Sequence, residues 1–536
     1  MNTQSAPVIK DEARVLYLTG LREQSEGRID QAIEYFDAAL RIRPDFPEAL
    51  CSGGFILERR GHFDGALAFY GRAIELAPDY FDALFNRGCL HFGLKRVADA
   101  AQDFKDAAAV MPNDVGVWSN LGAALYRLGR LDEAVDALRR ALKIDPSMLE
   151  AELNLGSSLR RLGRDLEARE AFMRAVKRHP NCAEAYCGLG IVSRALGAFD
   201  LAVTYYDKAL DLQPDLQEAI SSKGCLQLLK GDFAQGWDAY EHRWIEGERP
   251  VPQSEARFDL ADPSTMQGKR ILVVQDHGLG DMIQFFRYAA LLSQHGAHVT
   301  IAGPAKMRKL LASSGCAMEW RPSTDLEGDF DEKIAISSLP RAFATRLDTI
   351  PANVPYLTAD AERAAFWRER MPGKGLKVGL CWRGSQDFRV DPRRSIPPSA
   401  LIPLSELDNV SLYALHMDVA ADELPGQLGQ KITVFGDDFD RGPDAFVDTA
   451  AVMANLDLIV TCDTSIAHLA GALNRPVWVA LRHVAEWRWM DGREDSPWYP
   501  SMRLLRSGRG DAWPALFKKI ADEIRALSAQ GSPAND

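Results

Sequence analysis

The first half of the chain repeats one pattern of apolar, small and polar positions every 34 residues. Proline marks the period, at Pro44, Pro78, Pro112, Pro146, Pro180 and Pro214. A glycine recurs at Gly20, Gly54, Gly88, Gly122, Gly156 and Gly190, and a large apolar residue at Phe36, Tyr70, Phe104, Leu138, Phe172 and Tyr206. Small residues let two helices approach closely, a large side chain fills the remaining gap, and proline ends a helix. Each period therefore predicts a helical hairpin.

A period of 34 residues is that of the tetratricopeptide unit. One such hairpin cannot bury its apolar face alone, so consecutive units are expected to stack into a solenoid with a concave groove. We predict about six regular repeats and a degenerate seventh at 215–243, which together occupy residues 1–245. The seventh has Gly236 and Arg243 where alanine is expected, as in a cap or a junction.

Asparagine occupies the same position in three successive repeats, at Asn86, Asn120 and Asn154. This position lies on the first helix of each hairpin, the one that lines the groove. An Asn amide both donates and accepts hydrogen bonds, so a column of them can hold the backbone of an extended peptide. Polar residues that only cover a solvated surface give the same pattern, and both interpretations stand.

The pattern changes after residue 245. Residues 246–268 are polar and contain prolines, which predicts a linker. Short apolar runs separated by helical segments follow: ILVVQ, HVTIAG, LKVGLCW, SLYAL, KITVF, LDLIVTC, PVWVAL and MRLLR. Such runs are typical of buried parallel strands. We predict an α/β region of two Rossmann-like domains, 269–372 and 373–510, that face each other across a cleft, followed by a C-terminal helix and tail at 511–536.

Composition excludes several classes of protein. The 536 residues carry a formal net charge of -12 and show no run of Lys or Arg, which argues against nucleic acid as a partner. The eight cysteines are scattered without a C-x-x-C pair, so neither a disulfide framework nor a zinc site is expected. No segment has the pattern of a signal peptide or the roughly 20 apolar residues of a membrane span. We expect a cytoplasmic protein.

The segment VTCDTSIAHLAGALNRPVWVAL separates two apolar runs with polar residues and a histidine. LDLIVTC is expected to end as a strand and IAHLAGALN to form a helix, which places Thr464 and Ser465 at a helix N-terminus. Backbone N–H groups and the helix dipole favour a phosphate there. His468, about one turn later, can reach the same ligand as a donor to a phosphate or sugar oxygen. An ordinary Ser/Thr cap with a histidine satisfied in the core also explains the pattern.

A dinucleotide-binding oxidoreductase is a competing interpretation, because Gly278 and Gly280 follow the first strand of the α/β region. Its fingerprint needs a third small residue where Ile283 stands, and an acidic residue where the second strand ends in Ala302 and Gly303. The dehydrogenase interpretation is therefore rejected.

Several stretches carry a family resemblance. DTSIAHLAGALNRPVW resembles the donor-site signature of the heptosyltransferase-type glycosyltransferases, which have the GT-B fold, and HGLGD resembles their N-terminal Gly-Asp motif. GDFAQGWDAYEHRW, CWRGSQDFRVDPRRSIP, DTAAVMANLDLIVTCDTSIAHLAGA and EWRWMDGREDSPWYPSMRLLR are similar to stretches of bacterial proteins that join tetratricopeptide repeats to such a domain. The Asn column resembles that of the O-GlcNAc transferase superhelix, which binds acceptor protein. The resemblance implies protein glycosylation, with flagellin among the acceptors of relatives.

The resemblance also implies roles for the residues that match. Asp281 would deprotonate the acceptor hydroxyl, with His277 as a second candidate, whereas the alternative for Asp281 is a cap on the helix that begins at Met282. The residues implied in donor binding are Gly280, Arg383, Gly384, Arg394, Ser395, Asp463, Thr464, Ser465 and His468, and those implied in acceptor binding are Asn86, Asn120 and Asn154. GT-B enzymes generally stabilise the leaving phosphate with a helix N-terminus and basic side chains, so we expect no metal and no cofactor besides the nucleotide-sugar substrate.

Three further expectations concern this half. Related sequences often continue the SLYAL-type strand with Gln-Lys, whereas this chain has His416 and Met417, which removes a lysine that could bind phosphate. Large aromatic residues near the last strand could stack on a sugar or base but more often close a core: Trp487, Trp489, Trp498 and Tyr499. The GT-B resemblance also implies that the late helix, 513–527, packs back over the first α/β domain.

The sequence therefore indicates a metal-independent glycosyltransferase that moves a sugar from a CMP- or NDP-activated donor to a protein held by the repeats. The alternative is a non-catalytic adaptor, in which the repeats bind partners and the α/β region is a degenerate nucleotide-binding module. The sequence leaves open the donor sugar, the nucleotide, the stereochemical outcome, the acceptor protein and the oligomeric state, including a homo-oligomer.

Overall fold

The computed structural model describes residues 6–244, 249–384, 392–417, 419, 424–436, 438–510 and 512–530. The chain forms two compact units, Met1–Val192 and Ser193–Asp536. No helix within the described ranges has both the length and the apolar character needed to cross a membrane.

The first unit is built from antiparallel helical hairpins. Its helices are α1 Ala6–Ser25, α2 Ile29–Ile42, α3 Pro47–Arg59, α4 Phe63–Leu76, α5 Phe81–Gly93, α6 Val97–Val110, α7 Val115–Arg127, α8 Leu131–Ile144, α9 Leu149–Arg161, α10 Asp165–Arg178 and α11 Ala183–Ala195, the last of which extends into the second unit. Helix α3 packs on α5, α5 on α7 and α7 on α9, and each of these four helices also packs on its own hairpin partner. The first helices of the hairpins therefore share one face of the unit, as predicted.

The recurring glycines pack against the recurring large side chains. A Cβ on Gly122 would lie 2.5 Å from Cγ of Leu138. Phe172 lies between two glycines, because a Cβ would come within 2.6 Å of its ring at Gly156 and within 2.5 Å at Gly188. The pairing of a small and a large position inferred from the 34-residue period is confirmed.

The second unit begins with the end of the helical array, α12 Phe199–Leu212, α13 Gln217–Lys230 and α14 Phe233–Tyr240. Helices α13 and α14 form the predicted seventh hairpin, although α14 has only 8 residues. The sequence pattern ends the solenoid at 245, whereas the compact units divide at 192. The difference arises because the last hairpin packs on the α/β part of the second unit.

The first sheet has four parallel strands in the order β3-β2-β1-β4. Its strands are β1 Arg270–Val274, β2 His298–Ala302, β3 Met318–Arg321 and β4 Glu332–Ala335, and the associated helices are α15 Leu279–Gln294, α16 Arg308–Ala312 and α17 Leu339–Ala342. Helix α18 Ala361–Glu369 follows in the chain but packs on a helix of the second sheet. Strands β3 and β4 are not among the predicted strands. Each has only four residues and is partly exposed, so neither gives a continuous apolar run.

The second sheet has six parallel strands in the order β10-β9-β8-β5-β6-β7. The predicted runs form β5 Leu376–Cys381, β6 Val410–Ala414, β7 Ile432–Thr433, β8 Leu458–Cys462, β9 Val477–Leu481 and β10 Met502–Arg506. The associated helices are α19 Ile402–Ser405, α20 Gln427–Lys431, α21 Val447–Met453, α22 Ser465–Ala472 and α23 Trp513–Ala529. The α/β region thus contains two separate parallel sheets.

The last helix differs from its expectation. The buried face of α23 joins the core of the second sheet, through Phe517, Ile520 and Ile524, and the helix contacts α19. The expectation that it packs back over the first α/β domain is wrong. Its apolar stripe matches the exposed face of the sheet that immediately precedes it in the chain, which is the nearest surface to bury.

Aromatic residues hold the last hairpin against the α/β part. The Trp237 and Tyr240 rings of α14 meet the Trp487 ring at centroid distances of 5.3 and 5.5 Å. The Trp237 indole N–H also donates to the carbonyl of Thr345 at 2.9 Å. Part of the segment expected to be a linker is packed as well, since Phe258 is buried and contacts the ring of Phe343.

We predict that the glycine contacts of the first unit are sensitive to one methyl group. Gly156→Ala should destabilise the repeats by about 1–3 kcal/mol, because its Cβ collides with the Phe172 ring. Gly93→Ala is the matched control: a Cβ there meets nothing within 4 Å, so the substitution should be neutral or stabilise by about 0.4–1 kcal/mol. Denaturant unfolding followed by circular dichroism measures both, and equal effects would refute the packing argument.

Candidate functional site

Two helix N-termini converge between the sheets of the second unit. Helix α15 follows β1, and α22 follows β8, so both begin at the carboxyl ends of parallel strands. A Cβ on Gly280 would lie 3.3 Å from Cα of Ser465 and 3.2 Å from Cδ2 of His468. Each helix N-terminus carries a partial positive charge. Their meeting point therefore favours an anionic ligand.

The turn before α22 brings several predicted donor-site residues together. Thr464 is the N-cap of α22 in an extended conformation, and its side chain makes no capping hydrogen bond with the described residues of the helix. Asp463 forms an ion pair with Arg394 at 3.5 Å. The hydroxyl of Ser395 accepts from the backbone N–H of Gly384 at 3.1 Å, and Gly384 lies beside the Asp463 carbonyl. The residues that follow β5 and those that follow β8, although distant in sequence, therefore lie together on one side of the site.

His416 and Met417 stand where related sequences often have Gln-Lys, and His416 has a structural role. Its Nε2 accepts from the backbone N–H groups of Trp382 at 2.9 Å and Arg383 at 3.3 Å. The Trp382 ring packs edge-on against it, with centroids 4.2 Å apart. His416 therefore shapes the start of the loop after β5 and presents no ammonium charge to a ligand.

Both carboxylate oxygens of Asp281 are engaged. Oδ2 accepts from the backbone N–H of Gly278 at 3.1 Å, which closes a cap on α15, and Oδ1 accepts from Nη2 of Arg488. Burial raises the pKa of Asp281, but attraction by positive charge, chiefly that of Arg488 and also that of Arg394, outweighs it, and the pKa lies below its ordinary value. Asp281 is thus both the helix cap and an ionised group at the convergence point.

Arg488 is the functional candidate that sequence reasoning missed. It lies in the loop after β9 and donates to Glu486 Oε1 at 2.6 Å and Gln284 Oε1 at 2.7 Å as well as to Asp281. Its side chain is only 11% exposed. Arg488 lies between two tryptophans in EWRWMDG. Sequence reasoning considered only the aromatic residues of this stretch and therefore missed the arginine. Arg488 connects α15 to the second sheet directly at the site.

His468 is buried behind the same point. Its ring stacks on Trp489 with centroids 5.2 Å apart, and Nδ1 lies 3.1 Å from the hydroxyl of Tyr499. Burial, followed by repulsion from Arg488, lowers the pKa of His468 to about 3, so the ring is neutral at physiological pH. Trp487, Trp489, Trp498 and Tyr499 are all buried, which confirms their expected place in the core.

His277 lies apart from the Asp281 contacts. Its ring stacks on Trp244 with centroids 5.1 Å apart, and Nε2 accepts from Nε of Arg243 at 3.0 Å. Burial lowers the pKa of His277. Arg243, itself buried, also pairs with Asp276 at 3.0 Å, so His277 belongs to the cluster that joins the last hairpin to the first sheet.

The three predicted acceptor-binding asparagines lie on α5, α7 and α9 of the first unit and are half-buried. Nδ2 of Asn86 donates to Cys51 Sγ, and Nδ2 of Asn120 donates to Cys89 Sγ, both at 3.7 Å. Each contact joins one repeat to the next. Thiols are weak acceptors, so these contacts orient the amides at little energetic cost to a competing ligand.

Within the described parts of the chain, no cluster of three or more His, Cys, Asp or Glu side chains is arranged to hold a metal ion. The expectation of metal-independent chemistry stays a prediction.

Comparison with known proteins identifies the helical half. Models of the tetratricopeptide repeat match residues 13–46, 54–114, 115–148 and 153–216. The N-terminal part of the chain is a tetratricopeptide-repeat solenoid. Such arrays present extended surfaces to partner proteins, which supports protein interaction through the repeats. The seventh hairpin continues beyond the matched residues.

One curated relative is a protein named FlbA from Caulobacter vibrioides, 25% identical over 337 residues. The match covers 58% of this chain and 55% of FlbA, so the chain spans about half the length of the curated relative it matches. Among solved structures, YrrB, a TPR protein with an unusual peptide-binding site, is 24% identical, with 35% of this chain and 97% of YrrB covered and a TM-score of 0.33. MamA is 24% identical, with coverage of 32% and 92% and a TM-score of 0.30.

We predict that His468 makes the second unit less stable in mild acid. The unfolded ring titrates near 6.5 and the folded ring near 3, so below pH 6.5 the unfolded chain binds a proton that the native chain does not. Stability should fall by roughly 2 kcal/mol between pH 7 and pH 5 through this group. Denaturant unfolding of wild type and His468→Gln at both pH values measures it. An unchanged pH dependence in the variant would contradict a buried neutral ring.

We predict a large effect on stability for Arg488. Arg488→Met leaves the Asp281 and Glu486 carboxylates without their cation and should destabilise the second unit by about 3–5 kcal/mol. Asp281→Asn should recover part of that loss in the Arg488→Met background. Arg493→Met, which breaks a more exposed pair with Asp495, is the control and should change stability by about 0–1 kcal/mol. Equal losses in thermal unfolding of the two arginine variants would exclude a structural role for the buried pair.

Proposed function

We propose that the chain is a glycosyltransferase that moves a sugar from a nucleotide-activated donor to a protein bound by the repeats. The observation that carries the proposal is the convergence of the α15 and α22 N-termini, with Arg394 and Arg488 close by, at the carboxyl ends of parallel strands. Ligands of parallel α/β sheets bind at these strand ends. A nucleotide diphosphate or monophosphate supplies the anion that such a site favours.

The architecture supports a GT-B arrangement. The two parallel sheets are separate, and each contributes one strand–turn–helix element to the convergence point. The element from the first sheet contains HGLGD, and the element from the second contains DTSIAH, the two motifs on which the resemblance to heptosyltransferase-type enzymes rests. The sequence motifs and the geometry therefore both indicate that these two strand–turn–helix elements form the donor site.

In the proposed reaction, the turn at Asp463–Ser465 binds the donor phosphate. Developing negative charge on the leaving phosphate is stabilised by the α22 N-terminus and by Arg394, without a metal. Arg383, Gly384 and Ser395 would hold the rest of the nucleotide. Residues 385–391, which link these groups in sequence, lie outside the described residues.

Asp281 is the proposed base. The acceptor oxygen forms a bond to the anomeric carbon, the bond from that carbon to the phosphate oxygen breaks, and the hydroxyl proton passes to Asp281. Each carboxylate oxygen has two lone pairs, so Oδ1 can accept the acceptor hydroxyl in addition to Arg488. Arg488 keeps the carboxylate ionised and would fix its position. His277 remains the second candidate, although its stack on Trp244 places it with the Arg243 cluster.

The acceptor is proposed to be a protein segment held in an extended form by Asn86, Asn120 and Asn154. The amides recur once per repeat on helices that share one face of the first unit. Flagellin is a candidate acceptor through the resemblance alone, and a cytoplasmic location is part of the proposal.

A non-catalytic adaptor is the second candidate. It is favoured by the engagement of both Asp281 oxygens within the chain, one in the helix cap and one in the Arg488 pair. In that case the repeats bind partner proteins, and the α/β part serves as a nucleotide sensor or only as a packing module, without transfer.

A nucleotide screen tests the donor site. Thermal unfolding is measured with CMP, UDP, GDP, ADP and dTDP in turn, and a nucleotide at 100 times its dissociation constant should stabilise the native unit by about 2.7 kcal/mol. Ser465→Trp, which blocks the α22 N-terminus, should remove the shift. No shift with any nucleotide, with and without acceptor protein, would make the adaptor the better explanation.

Transfer itself is tested with Asp281→Asn. The rate of acceptor modification, followed by mass spectrometry, should fall by about 10²- to 10⁴-fold, because the base is lost while the side-chain shape is kept. Activity of the wild type should survive EDTA. If the wild type transfers no sugar while alanine at Asn86, Asn120 and Asn154 abolishes partner binding, the adaptor interpretation holds. Modification that survives Asp281→Asn would instead exclude Asp281 as the base.

A further inference from the structure

A buried arginine lies behind the site, and no carboxylate of the described residues pairs with it. Arg287, on α15, is 3% exposed and donates to the carbonyls of Pro351 and Trp498, both at 2.8 Å. Its Nη2 donates to the hydroxyl of Tyr356 at 3.3 Å, and its guanidinium lies 4.6 Å from the centroid of the Tyr499 ring. A buried cation of this kind orients the hydroxyl dipoles around it.

The hydrogen bonds beyond Arg287 form a chain that ends at His468. Tyr356 donates to the carbonyl of Ile283 at 3.0 Å. The Tyr356 oxygen lies 3.4 Å from the Tyr499 oxygen, and the Tyr499 oxygen lies 3.1 Å from Nδ1 of His468. All of these residues belong to the second unit.

The number of available hydroxyl protons limits which way each hydrogen bond in this series can point. A carbonyl can only accept, so the single hydroxyl proton of Tyr356 is committed to Ile283. The contact between Tyr356 and Tyr499 is then a hydrogen bond only if Tyr499 donates. In that arrangement the proton of Tyr499 is used, so Tyr499 can only accept from His468, and Nδ1 of His468 carries the ring proton. In the opposite arrangement Tyr499 donates to Nδ1 at 3.1 Å, and the 3.4 Å contact between the tyrosines is left without a proton.

The other ring nitrogen is left with a lone pair. Nε2 of His468 makes no recorded hydrogen bond to the part of the chain that the structure describes. Cδ2, the carbon bonded to Nε2, is the ring atom next to Gly280, so this edge of the ring lies at the convergence of the two helices. The ring stays neutral because of burial and because Arg488, Arg287 and Arg394 outweigh the attraction of Asp281.

We infer that Arg287, Tyr356 and Tyr499 fix His468 in its Nδ1–H tautomer and present the Nε2 lone pair to the ligand site. The group that binds against His468 must then donate a hydrogen bond. If the proposed function holds, that group is a hydroxyl of the transferred sugar, and a phosphate oxygen is excluded from this position. His468 would thus be a specificity-determining residue, and the two tyrosines and Arg287 would be positioning residues.

The tautomer can be observed directly by NMR of the full chain labelled with ¹⁵N-histidine. The chain has 10 histidines, and the signals of His468 are those that disappear in His468→Gln. We expect a protonated Nδ1 and an unprotonated Nε2, unchanged between pH 8 and pH 5. A wild-type spectrum with a protonated Nε2 would overturn the inference.

Tyr356→Phe gives the sharper test, because it removes one oxygen that does not touch His468. Tyr499 then loses its acceptor and is free to donate to Nδ1, so the ring should switch to the Nε2–H tautomer. Tyr413→Phe removes a hydroxyl bound to the Pro372 carbonyl and should leave the His468 signals unchanged. An unchanged tautomer in Tyr356→Phe would disprove the relay.

The same spectrum distinguishes the class of ligand group. In concentrated sulfate, whose oxygens can only accept, the wild type should keep the Nδ1–H form, whereas a switch to Nε2–H would overturn the assignment of a hydroxyl to this position. These readouts need no transfer. The relay can therefore fail while the nucleotide screen succeeds, or hold while the screen finds no ligand, which separates this inference from the proposed function.

Discussion

The second unit depends on a guanidinium that must find acceptors in several directions without water. Removing a charge from water is strongly unfavourable unless opposite charges and hydrogen bonds replace the solvent. Arg488 satisfies this condition with acceptors from α15 and from its own loop, and the carbonyl of Arg488 in turn accepts from the Trp498 indole. Small movements between α15 and the second sheet would leave charges unpaired. The pair therefore sets the distance across the site.

The loop that holds Arg488 is supported from the opposite side by the helical array. Trp487 packs on Trp237 and Tyr240, and the backbone N–H of Asp491 donates to the carbonyl of Leu229 on α13 at 3.1 Å. The last hairpin therefore supports the α/β part and also ends the repeat array. Packing on the α/β part explains why this hairpin departs from the repeat pattern. Its second helix is short, and the face that packs on the α/β part is aromatic.

Sequence reasoning succeeded where a period or a continuous apolar run carries the information. The repeats follow from the 34-residue spacing, and the six strands of the second sheet follow from their apolar runs. Strands β3 and β4 were missed because partial exposure removes that pattern. At the site, the turn at Thr464 and Ser465 could be predicted from local chemistry. Arg488 could not, because its partners on α15 are 204 and 207 positions away in the chain and no local pattern indicates them. The expectation for α23 was wrong because it was taken from the family resemblance, whereas the apolar stripe of the helix is buried on the sheet that precedes it in the chain.

The close approach of Gly280 to Ser465 has a consequence for the choice of solution conditions. Both helix ends carry a partial positive charge and lie in van der Waals contact, while Arg394 and Arg488 beside them are paired with carboxylates. Small anions of the medium, such as chloride or sulfate, would compete with a phosphate ligand for the N–H groups of these turns. If the proposed function holds, the apparent affinity of a nucleotide will depend on which anion the buffer contains as well as on ionic strength. Acetate, chloride and phosphate buffers of equal ionic strength would not be interchangeable for this protein.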